Sequence, residues 1–97
     1  MAAHNELIHQ ALRLKIMAAL NAARAAGPLE FNRLKVLVGA TDGNLSTHLS
    51  TLENAGYVAL EKDFVGKKPR TRVSITRLGA IAFREHTDYL REIIEGR

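Results

Sequence analysis

Between Gly43 and Thr51 the chain places Asn44, Ser46, Thr47, His48, Ser50 and Thr51 almost side by side. These short side chains donate and accept hydrogen bonds at close range and carry almost no charge. That chemistry suits the edges of nucleic-acid bases better than simple solvation, for which Lys and Glu are the usual choice. A second set follows soon after. From Phe64 to Arg77 there are five basic residues (Lys67, Lys68, Arg70, Arg72 and Arg77) and no acidic one. Met1 to Asp63 carries six of each sign and Leu78 to Arg97 three basic against four acidic, so this stretch holds the whole excess of +4. Concentrated cations neutralise phosphates. A polar reading element beside a cationic gripping element is an arrangement for duplex DNA.

The elements that must position these residues can be read from periodicity. Leu45, Leu49 and Leu52 stand at i, i+4 and i+7, which predicts a helix over about 42–55 with its opposite side polar. Thr41 is its N-cap, Asp42 suits the first turn, and Gly56 ends it. Asp42-Gly43 could mark a hairpin turn, but no alternating strand flanks it. Tyr57 to Asp63 and Arg72 to Thr76 alternate instead, with Val58, Leu60, Val73 and Ile75 inward. They predict a hairpin over about 57–76, with a long tip shaped by Gly66 and Pro69.

Upstream, Glu6 to Ala26 reads as one alanine-rich helix that Gly27-Pro28 stops. Its apolar set, which includes Leu7 and Ile8, is broader than one stripe. It serves the core alone, or the core and a dimer interface together. Leu29 to Phe31 forms a short strand. Asn32 to Val38 is a second helix with Phe31, Leu34, Leu37 and Val38 inward, capped by Gly39. At the far end Thr76 caps a helix over about 77–95. Its Ile81, Tyr89, Leu90, Ile93 and Ile94 either cover the core or pair with a second copy. The expected fold is mainly α with a small β-hairpin (α+β), a winged helix-turn-helix with an added C-terminal dimerisation helix, in a single domain over 1–97.

Composition narrows the classes. An apolar share of 46% with 25% charged residues places the chain among globular proteins rather than disordered ones. The absence of cysteine excludes a disulfide framework, thiolate-bound zinc and cysteine redox sensing. The start, MAAHNELIHQ, is too polar for a signal peptide, and no run is long enough to span a membrane. A cytoplasmic protein is expected. The pI near 9.9 points to an acidic partner, nucleic acid before anionic membrane. His4, His9, His48 and His86 form no close metal pair. Glu85, His86 and Asp88 neighbour each other on the last helix but lack a second ligand pair. No phosphate loop, nucleophile elbow or carboxylate pair stands out. No cofactor, metal or enzymatic activity is expected.

NLSTHLSTLENAGYV (44–58) resembles the signature of ArsR/MarR-type winged-helix transcriptional regulators. Ser46, His48, Leu49, Leu52, Ala55, Gly56, Tyr57 and Val58 match in place. The likeness extends to LRLKIMAAL (12–20), FNRLKVLVG (31–39) and PRTRVSITRLG (69–79), most of the chain, and is strongest to the short stand-alone winged-helix proteins. Two features depart from it: no cysteine pair, and Arg77 where relatives are often acidic. The resemblance implies operator binding as a homodimer and repression. Asn44, Thr47 and Ser50 are then the base readers, with Gly43 letting the backbone approach. Ser46, Thr51, Lys67 and Lys68 are the phosphate contacts, and His48 is a packing or phosphate residue. Arg70 or Arg72 belongs in the minor groove. Leu7, Ile8, Ile81, Tyr89, Leu90, Ile93 and Ile94 are the candidate dimer interface. The partners are double-stranded DNA and a second copy. Any small-molecule effector would bind at the dimer interface or on the DNA-binding surface. A winged-helix protein-interaction module and a non-specific nucleic-acid binder are the alternatives.

Overall fold

The computed structural model describes residues 2–96. Five helices and three strands follow one another as α1 (Glu6–His9), α2 (Ala11–Ala22), β1 (Leu29–Glu30), α3 (Phe31–Val38), α4 (Asp42–Asn54), β2 (Val58–Val65), β3 (Lys68–Ile75) and α5 (Arg77–Ile94). The strands form one antiparallel sheet in the order β1-β3-β2. Val58 faces Ile75 and Leu60 faces Val73, which sets the register that turns the apolar residues of both strands inward.

The first expected helix is two helices. Gln10 is extended, at φ −60° and ψ 130°, and its side chain accepts the Arg13 N–H to start α2 afresh. Asn5 caps α1 in the same way by accepting from Ile8. Arg13 closes the corner by donating from Nε to the Leu7 carbonyl. The break lets α1 leave the line of α2 and pack against α5. Thr41 and Thr76 cap α4 and α5 as their sequence positions require, accepting from Asn44 and Gly79.

The hairpin also differs from expectation. Its strands run on to Val65 and from Lys68, so the tip is a two-residue turn at Gly66-Lys67, with Gly66 at φ +62°. The expected long loop is an extended strand pair, in which Pro69 and the charges of Lys68 and Arg70 interrupt the β-forming pattern of Phe64, Val65 and Thr71. Leu37, expected inward, is half exposed, and its neighbour Val36 is mostly exposed. Phe31 opens α3 instead of closing β1.

The core unites Ile8 of α1, Ile16, Met17 and Leu20 of α2, Leu34 and Val38 of α3, the three leucines of α4, the inward sheet residues, and Ala82 of α5. At Gly79 α5 touches the Tyr57 backbone, so closely that a Cβ there would overlap the Tyr57 carbonyl. That carbonyl also accepts the Thr76 N–H. The start of α5 is thus locked to the exit of α4. Among the described residues no helix is long and apolar enough to cross a membrane.

Candidate nucleic-acid interface

Burial of Leu45, Leu49 and Leu52 turns the other side of α4 outward. Gly43, Asn44, Ser46, Thr47 and Ser50 are all exposed there. Thr47 donates its hydroxyl to the Gly43 carbonyl at 2.9 Å, and Thr51 donates to the Thr47 carbonyl at 3.2 Å. Their hydroxyl protons are therefore used internally, while their oxygen lone pairs and methyl groups remain for a partner. Among the described residues the Asn44, Ser46 and Ser50 side chains make no hydrogen bond. Within the monomer nothing calls for glycine at 43: its φ is not positive, and a Cβ would meet no atom within 4 Å. His48 is different. It is half-buried, and its Nδ1 lies 3.2 Å from the Arg13 guanidinium, so it ties α4 to α2.

The wing is β2, the turn and β3. Lys67 and Lys68 are exposed at its tip and, among the described residues, carry no ion pair. Arg70 and Arg72 are held. The register sets Asp63 opposite Arg70 and Glu61 opposite Arg72 on the outer sheet face. Arg70 donates to both oxygens of Asp63 at 2.9 and 2.7 Å. Arg72 reaches Glu61 and, at 3.5 Å, Asp63. The hydrogen bond from Arg70, reinforced by both positive charges, holds the Asp63 carboxyl below its ordinary range, and the same bond raises Arg70. This pairing persists at every pH above that range and is lost only as acid protonates Asp63. The excess charge counted along the chain is thus partly spent across the hairpin, since Glu61 and Asp63 lie just before the basic stretch.

Sequence reasoning missed Lys62. It shares the inward side of β2 with Val58 and Leu60 but stands beyond the core. There it lines, with Thr71, a groove whose other wall is Ser46 and Ser50 of α4. Alternation along β2 was the available signal.

The expected dimer residues separate. Ile8 is fully buried in the monomer's own core and presents no surface. Leu7, Tyr89 and Leu90 are partly buried. Ile93 and Ile94 are 58% and 84% exposed at the C-terminal end of α5. Ile81 lies about 120° around the helix from Ile93 and sits among Arg24, Arg77 and Arg84. Folding also gathers His4, His9 and His86, which are remote in sequence. Glu85 and Asp88 do not join them, and Asp88 pairs with Arg91. Among the described residues no group of His, Asp or Glu is arranged to hold a metal ion.

Residues 12–94 match the family described as the winged helix DNA-binding domain. The chain belongs to that family. An uncharacterized protein of Methanocaldococcus jannaschii, MJ0432, is 34% identical to this winged-helix protein over 90 residues, covering 93% of this chain and 91% of that one. A transcriptional regulator homologue from Pyrococcus horikoshii OT3 superimposes with a TM-score of 0.85 at 29% identity, over 95% of this chain and 88% of the other. NadR, solved in complex with 4-hydroxyphenylacetate, superimposes at 0.70 with 21% identity, over 93% of this chain and 64% of that one. These structures share the winged-helix fold of this chain.

Proposed function

We propose that this winged-helix protein binds duplex DNA sequence-specifically, as a cytoplasmic homodimer, and represses transcription. The observation that carries this reading is the α4 face: exposed hydrogen-bonding groups without partners, on a rigid helix, flanked by wing cations. Asn44, Thr47 and Ser50 meet base edges in the major groove. Ser46, Thr51, Lys62, Lys67 and Lys68 meet phosphates, which set register rather than sequence. Because Thr47 spends its proton within the helix, it reads by accepting a hydrogen bond or by packing its methyl on thymine. The unpaired end of α5 supports the homodimer. A two-fold axis there sets two α4 helices about one DNA turn, roughly 34 Å, apart.

Selection from random duplex DNA tests the whole reading. An inverted repeat with half-sites about ten base pairs apart is expected. Retention without enrichment leaves a non-specific binder, and no retention leaves a protein-interaction module. Within the selected site, Thr47→Ala changes base preference by about 1–3 kcal/mol at one position. Lys67→Ala weakens all duplexes alike. Uniform loss in both variants, measured by fluorescence anisotropy, would sink this division of roles.

Gly43→Ala separates folding from binding. The site is helical and unobstructed, so the substitution stabilises the protein by about 0.5–1 kcal/mol. On DNA the added methyl stands where the backbone approaches, and affinity falls. A variant that gains thermal stability and keeps full affinity removes the close approach from the account.

A further inference from the structure

His86 is the one fully buried side chain in the core that can carry a charge, among the described residues. It sits on the inner side of α5 with Gly79 and Ala82. Its Nδ1 lies 3.0 Å from the backbone nitrogen of Asn5. A backbone N–H can only donate, so His86 Nδ1 must keep its lone pair and the ring is neutral, with its proton on Nε2. That nitrogen lies 3.3 Å from His9 Nδ1, which then accepts. His4 completes the group. Its ring centroid is 4.6 Å from that of His9 and 5.4 Å from that of His86.

Around the cluster the charged and titratable groups are few. From the N-terminal segment come His4, His9 and Glu6, whose carboxylate is 3.9 Å from His4 and almost fully exposed. From α5 come Tyr89, stacked on His86 at 5.9 Å, and Glu92, which accepts the Ala2 N–H at 3.2 Å. From the start of the wing comes the Tyr57 hydroxyl, which accepts from the Asn5 amide. Arg13 of α2 holds the Leu7 carbonyl. Among the described residues no carboxylate bonds to His86, so nothing offsets a charge placed on it.

We propose that His4, His9 and His86 form an acid-released latch, which fastens residues 2–9 to α5 above about neutral pH and lets them go below it. Protonation at Nδ1 turns a donor toward the Asn5 N–H, breaks that bond and leaves a buried cation beside two other histidines. Burial first, then the His9 and His4 charges, lower the His86 pKa. The released segment therefore binds more protons than the docked one. Docking is undiminished above the ordinary histidine value of about 6.5 and weakens as pH falls from there toward the lowered value.

The latch has reach. Asn5 bonds His86 with its backbone, Tyr57 with its side chain, and caps α1 with its carbonyl oxygen. The Tyr57 N–H bonds the Leu52 carbonyl at the end of α4, and Arg13 spans from α1 to His48 on α4. Release exposes Ile8, frees Tyr57 at the exit of the reading helix from Asn5, and takes the Leu7 carbonyl from Arg13, the residue that contacts His48. A weaker grip on DNA in acid is the consequence, and only that consequence rests on the proposed function.

Amide hydrogen exchange on the full chain without DNA tests the latch at pH 8 and pH 5.5. After correction for intrinsic rates, the Asn5 and Ile8 amides lose protection in acid, about tenfold for each pK unit by which docking lowers His86. His86→Gln, which keeps an acceptor but cannot titrate, holds its protection constant. Equal protection at both pH values, or the same loss in the variant, overturns the proposal. Should His86→Gln fail to fold, the double variant His4→Gln/His9→Gln decides, because both positions lie near the surface. Removing the two repelling neighbours brings docked His86 closer to its ordinary value, so the acid loss of Asn5 and Ile8 protection becomes smaller than in the parent, and a loss that stays the same or grows overturns the latch. Exchange is read without DNA, so a chain that releases its segment yet ignores every duplex would defeat the proposed function and leave the latch standing.

Discussion

Raising salt from about 50 to about 200 mM is expected to weaken duplex binding about 10³-fold, as six neutralised phosphates require. Six is the number for a dimer in which Lys62, Lys67 and Lys68 act and the two wing arginines stay paired. Counting Arg70 and Arg72 as well would give ten contacts and a loss of about 10⁵-fold. The slope of log K against log salt therefore reports whether the pairs in the wing open on DNA. Asp63→Asn supplies the control. It removes the carboxylate that accepts from Nε and Nη2 of Arg70, frees one cation per subunit, and takes a negative charge away from the DNA. The variant is expected to bind more tightly at low salt, with a slope steeper by about 1.8. Titrations by anisotropy at four salt concentrations measure both numbers. An Asp63→Asn slope equal to that of the parent would mean that Arg70 already leaves Asp63 for phosphate.

Gly79→Ala is expected to cost roughly 3 kcal/mol, the upper end of overpacking effects, and to lower Tm by roughly 15 °C. The added carbon would overlap the Tyr57 carbonyl, which is backbone and cannot rotate away. Either α5 shifts outward along its first turn or the junction of α4 and the wing moves. Either movement breaks the close contact of α5 with Tyr57, the residue that Asn5 holds. Thermal unfolding by circular dichroism measures the loss. An unchanged Tm would show that the start of α5 slides freely. Gly43→Ala, in a helix with open space, serves as the contrasting case.

What could be read from the chain was local. The leucine spacing of α4, the alternation of Val58 with Leu60 and of Val73 with Ile75, and the Thr41 and Thr76 caps each depend on neighbours a few residues away. They give the reading helix, the sheet face and both helix starts. Gln10 shows the limit. It is an ordinary helix former, and only the cap it offers Arg13 and the docking of α1 elsewhere favour a break. The wing shows another. Arg70 and Arg72 look available in a linear count, and their pairing depends on a register set by the two-residue turn. His86 lies far from His4 and His9 in sequence, so no spacing rule could join them. Leu37 is apolar in a short helix whose buried stripe, Leu34 and Val38, is already complete.

The sheet order leaves β2 on an outer edge. A strand there offers unpaired backbone groups that another chain could extend, the first step toward aggregation. Glu61, Lys62 and Asp63 occupy the middle of this edge, and adding a foreign strand would strip water from their charges. The carboxylates that restrain Arg70 and Arg72 thus also keep the wing from recruiting its own kind. Any variant engineered for tighter DNA binding by neutralising them trades away colloidal stability at the same positions.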